Sequence, residues 1–110
     1  MNKIDYIIEC VITGELPVAE LVAAVEPDAR PMLLNHEAEE FYRLQAIFRG
    51  APDGHLFKQG AKDRLPGMVR VIEALGGKVV AQDTGSPLTA RYWVVDAKAK
   101  TIADNVVIAW

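Results

Sequence analysis

The chain predicts an α+β domain: about four N-terminal helices, then a three-stranded antiparallel β-meander, with the helices on one face of the sheet. Three observations lead there. Residues 1–76 space their apolar side chains at helical intervals. From Lys78 onward, short β-branched and aromatic runs alternate with turn residues. A chain of 110 residues, 51% hydrophobic and 25% charged, has the size and composition of one globular domain with its own core. Residues 1–110 therefore read as a single domain, 1–76 mainly helical and 77–110 mainly β.

The elements follow in order. Ile4, Ile7, Ile8, Val11 and Ile12 form one apolar stripe, with Asn2 placed to cap the helix and Gly14 to end it. Pro17 suits a first helical turn, and Val18, Leu21, Val22 and Val25 repeat the helical spacing up to Pro27. Pro27 and Pro31 read as a breaker that crosses the surface. Asn35 is the expected cap of a third helix, with Glu37, Glu39 and Glu40 in its first turn, where the helix dipole favours negative charge. Phe41, Leu44, Ile47 and Phe48 supply its buried face, and Gly50 stops it.

Ala51-Pro52-Asp53-Gly54 is a turn, and a short helical turn is expected over 55–60. Leu65, Met68, Val69, Ile72 and Leu75 make a fourth stripe, ended by Gly76-Gly77. Strands are expected over 78–82, 91–96 and 105–110, with a loop at 83–87. Residues 97–104 read two ways; one puts a turn at Lys98–Lys100 and places Thr101 and Ile102 already in a strand.

Composition excludes several function classes. Cys10 is the only cysteine, which rules out an intrachain disulfide and a Cys-rich zinc site and fits a reducing compartment. Asp5 and Glu9 interrupt the first apolar residues, and no run is long enough for a signal core or a membrane span. The expectation is a soluble, cytoplasmic protein with no membrane partner and no cofactor. Residues 1–59 hold five Lys/Arg against ten Asp/Glu, whereas 60–110 hold seven against five. Neither half is the dense basic stripe that phosphate binding requires.

Four constellations can carry chemistry. In His36-Glu37-x-Glu39-Glu40, His36 and Glu40 stand one helical turn apart and can share a cation, although a zinc-protease helix has a second His where Glu40 stands. The plainer reading is a helix start with acids set against its dipole. If the third helix folds back, Asp53 and His55 approach His36, making a small acid/base or metal site with Glu40; otherwise they are surface residues near helix ends. Residues 54–62 fail the phosphate-loop pattern, and Cys10, beside Glu9 and among isoleucines, reads as an inert buried thiol.

The third constellation is winged-helix-like. A turn, a helix at 65–75 and a hairpin would let Lys62, Arg64, Arg70, Lys78 and Arg91 contact DNA phosphates, although Pro66 and Gly67 stand where base-reading residues belong. The alternative is that these five cations form a solvated face. The fourth is a protein-binding surface of Tyr92, Trp93 and Trp110, residue types enriched at binding hot spots. The uncharged run Val106–Trp110, if it is an edge, is also suited to homodimer formation; if it is central, it closes the core.

The function expected is that of a small non-catalytic regulatory or inhibitor-type protein that binds a protein partner. DNA binding is the first alternative. A small acid/base or metal-dependent enzyme built on His36, Glu40, Asp53 and His55 is the second.

Overall fold

The computed structural model describes residues 2–50, 54, 56–82 and 91–102. Within them the chain runs α1 (Lys3–Thr13), α2 (Val18–Ala24), a 3-10 turn (Pro27–Ala29), α3 (Arg30–Gly50), α4 (Leu56–Ala74), β1 (Lys78–Gln82) and β2 (Arg91–Val95). The protein is mostly helical, with a small antiparallel sheet.

Helix α1 is capped as its sequence dictates. The Asn2 side chain accepts from the Asp5 N–H at 2.8 Å, and Gly14 takes the left-handed conformation at φ 87°. Ile7, Ile8, Val11 and Ile12 are buried. At the other end of the helical layer, Gly76 (φ 94°) closes α4, and the Gly77 N–H returns to the Ile72 carbonyl at 2.9 Å.

Helix α3 begins five residues earlier than its expected cap, Asn35. Pro31 does not break it. It lies in the first turn, where its missing N–H has no intrahelical acceptor to lose. Asn35 is instead an interior residue, donating to Glu39 at 3.3 Å. The shift matters for the acids, because Glu37 then falls in the second helical turn, on the stripe of Leu34, Ala38 and Phe41, and is buried with them.

Helix α4 merges the short turn expected at 55–60 with the helix expected at 65–75 and runs through Pro66. Ala61, Met68, Ile72 and Leu75 are buried along one stripe that passes Pro66, while the proline itself faces solvent. Burial of that stripe outweighs the one helical hydrogen bond a proline removes. Next to it, α4 crosses α1 at close quarters. A Cβ on Gly67 would stand 2.1 Å from the Ile12 carbonyl oxygen, so only glycine permits the crossing.

The sheet pairs β1 with β2, Lys78 opposite Val95 through Gln82 opposite Arg91. Among the described residues the sheet has two strands. After β2, Asp96 accepts from the Lys98 and Lys100 amides and Ala99 adopts φ 61°, forming the turn expected at 98–100. Thr101 then makes a single bridge to Val95, and the Ile102 N–H reaches the Val94 carbonyl at 2.8 Å. A side chain from α3 takes up the groups that would extend this pairing. The Tyr42 hydroxyl accepts from the Val94 N–H at 2.9 Å and donates to the Ile102 carbonyl at 2.8 Å. Gln45, one turn on, donates to and accepts from the Tyr92 backbone at 3.2 and 2.7 Å. The strand expected over 105–110 lies outside the described residues. Val94 and Tyr42 are buried in the core that α1, α3 and α4 share, and no described helix is long and apolar enough to cross a membrane.

Candidate functional site

Three helices enclose a cleft of about 410 Å³. Helix α1 contributes Asp5, Ile8, Glu9 and Ile12. Helix α3 adds His36, Glu37, Glu40 and Leu44, and α4 adds Arg64 and Met68. The floor is thus apolar, and the walls carry four carboxyl groups against one histidine and one guanidinium.

These groups are not equivalent. Arg64 forms a forked pair with Glu9, its two terminal nitrogens at 2.7 and 3.0 Å from the two carboxylate oxygens. The bond from Arg64 holds the Glu9 carboxyl below its ordinary range, and the bond from Glu9 raises Arg64 in turn. Glu40 is paired with Arg43 on the exposed side of α3. Glu37 differs from both. It is 6% exposed and makes no hydrogen bond with any described residue. Burial pushes its carboxyl up from the ordinary 4.5 to about 7. The His36 charge opposes that shift, the carboxylates of Glu40 and Glu9 reinforce it, and Arg64 opposes it weakly. Glu37 is therefore an acid that holds its proton to near neutrality while facing an open cleft.

The residues singled out in the sequence fare unevenly. His36 and Glu40 do line one cleft. Asp53 and His55 lie outside the described residues. Among the described residues, no three His, Cys, Asp or Glu groups converge to hold a metal ion. Glu37, Glu9 and Arg64 complete the site, and the sequence reading missed their grouping. A signal existed for Glu37, which stands three residues after Leu34 and four before Phe41, on the buried stripe, once the helix is started before Asn35.

Of the proposed DNA contacts, Lys62 and Lys78 are exposed, Arg64 is bonded to Glu9, and Arg70 reaches the Val11 and Ile12 carbonyls at the end of α1, at 3.3 and 3.4 Å. Arg91 lies in β2 opposite Gln82. The Gly67 face of α4 is pressed into α1. Of the proposed partner-binding aromatics, Tyr92 is 44% exposed. Trp93 is half-buried and meets the Tyr42 ring edge-on at 5.6 Å. Trp110 and the strand proposed for dimer formation lie outside the described residues. Cys10 is buried, its thiol 3.7 Å from a Glu15 carboxylate oxygen.

Comparison with known proteins finds no matching family model, no matching curated protein and no matching solved structure. The functional reading therefore rests on the geometry of the cleft.

Proposed function

We propose that this chain is a small non-catalytic regulatory or inhibitor-type protein that acts by binding a protein partner, and that the cleft between α1, α3 and α4 belongs to its binding surface. One observation carries the reading. Glu37 is almost wholly buried, has no hydrogen-bond partner among the described residues, and opens into an acid-walled cleft. Burial opposes ionisation of this carboxyl, and a positive group supplied from outside would offset that cost. Tyr92, exposed on the sheet, is a second contact of the kind that interfaces favour.

Site-directed photo-crosslinking in cells of the source organism tests this. A crosslinking residue in place of His36, on the exposed rim, is expected to give one discrete protein adduct. The same residue in place of Glu73, exposed on α4 and outside the cleft lining, is expected to give none. Adducts at neither position, or equally at both, would overturn the proposal.

A second reading has its own observation. A carboxyl poised at about 7 beside a histidine is what general acid/base chemistry uses. That reading predicts turnover of a small substrate that collapses in Glu37→Gln, with the crosslinking result negative.

A further inference from the structure

We propose that the cleft between α1, α3 and α4 is a receptor for one lysine or arginine side chain of the protein partner, the alkyl stem lying on Ile8, Ile12, Leu44 and Met68 and the charged head paired with the Glu37 carboxylate. This rests on the partner-binding reading and gives its ligand a chemistry.

Size, polarity and charge select the occupant together. The cleft, at about 410 Å³, falls within the range of roughly 300–1,000 Å³ that holds small ligands or a protruding side chain. Its floor is aliphatic and its walls are mostly acidic, with Glu37 the most buried of the acids, the arrangement that suits a long apolar stem with a cationic tip. An anion finds no receptor, because the single guanidinium in the cleft already gives both ends to Glu9. A neutral ligand leaves the surrounding field unanswered. Asp5 and Glu9 face Glu37 from α1, His36 and Glu40 stand beside it on α3, and Arg64 stands across from it on α4. Glu9 is paired with Arg64 and Glu40 with Arg43; of the other two acids Asp5 is exposed and Glu37 is buried in the cleft, so Glu37 is the one that meets the cation out of bulk water.

Proton linkage follows. Glu37 keeps its proton up to about pH 7, so seating a cation near neutrality expels that proton into solvent and forms a charge-assisted bond in its place. Binding then strengthens as pH rises through 7 and fades below it.

The test is a titration of the whole chain, carrying labelled Ile, Leu and Met methyl groups, with n-butylammonium and n-butylguanidinium chloride. The controls are n-butanol as the neutral analogue and butyrate as the anion. Saturable shifts at the Ile8, Ile12, Leu44 and Met68 methyls are expected with the two cations only. The affinity is expected to fall about tenfold or more from pH 8 to pH 5.5 and to vanish in Glu37→Gln, whose remaining methyl spectrum, unchanged, shows that it is folded. Equal binding of butanol or butyrate, pH-independent binding, or undiminished binding to Glu37→Gln would overturn the inference.

Two further probes settle the source of the cation. A lysine pentapeptide flanked by alanines is expected to bind more tightly than putrescine, and the reverse order would overturn the protein source. The His36 crosslink separates the two proposals. If it persists while the cations fail to bind, the partner-binding reading stands and this inference falls.

Discussion

Replacing Glu37 by Gln is expected to stabilise the protein at alkaline pH and to remove the pH dependence that this one residue imposes. The carboxyl is held at about 7 against an ordinary 4.5, chiefly by burial. Below the lower value it is protonated in both folded and unfolded chains, and the folded state bears no penalty. As pH rises, the unfolded chain releases its proton first, and folding loses ground until both states are ionised above 7. At about 1.4 kcal/mol per pKa unit, the full loss is roughly 3 kcal/mol. Gln fills nearly the same volume and never ionises. As a neutral polar group in the same place it resembles protonated Glu37, and any cost of its lacking a partner is shared by both. The variant should therefore be close to wild type in stability near pH 4.5 and more stable by about 2–3 kcal/mol near pH 8.5. Glu9 and Asp96, whose carboxyls are lowered by the Arg64 side chain and by the Lys100 amide, lose stability on acidification instead. Both are present in the two proteins and cancel in the difference. Urea denaturation followed by circular dichroism, at several pH values across this range, measures it. A variant less stable than wild type at the alkaline end, or a difference that does not change with pH, would refute the reasoning.

Three other perturbations probe the frame that holds the cleft. Gly67→Ala places a methyl group against the α1 backbone, with nothing flexible to yield, and should cost about 3 kcal/mol or more by thermal melting. Tyr42→Phe removes the hydroxyl shared by Val94 and Ile102. It should cost about 1–3 kcal/mol, and the Val94 amide should exchange with solvent faster while amides of α1 do not. The Glu9–Arg64 pair is more than a third exposed on both sides, so a double-mutant cycle should give a coupling of only about 0.2–1 kcal/mol that weakens with salt. A salt-insensitive coupling of several kcal/mol would contradict that assignment.

Where local chemistry is decisive, the sequence is legible. Asn2 and Gly14 bound α1, Gly76 ends α4, and the apolar stripes of both helices are buried as their spacing requires. The turn at 98–100 likewise follows from its own residues. What was not legible depends on tertiary packing. Pro31 and Pro66 look like breakers, yet the first sits where a helix spends no hydrogen bond and the second faces solvent while its neighbours bury a continuous stripe. Thr101 and Ile102 return to β2 through a single bridge and one backbone hydrogen bond. The Tyr42 hydroxyl, 52 residues before Val94, occupies the ladder position there, and no local pattern announces that.

The cleft shows the same division. His36 and Glu40 were legible as helix neighbours. A helix capped at Asn35 puts Glu37 in its first turn, and that one displacement hides the most perturbed acid in the site. Glu9 and Arg64 meet only because α1 and α4 cross at Gly67, 55 residues apart in sequence for the pair itself.

The most direct test of the account is the titration of the Glu37 side-chain carboxyl, followed by carbon-detected NMR on protein labelled at glutamate, with and without n-butylammonium chloride. The account predicts a midpoint of about 7 in the free protein that moves down when the cation is added. A midpoint near 4.5, the ordinary value, unmoved by the cation, would contradict the claim that Glu37 is a buried acid awaiting a positive partner.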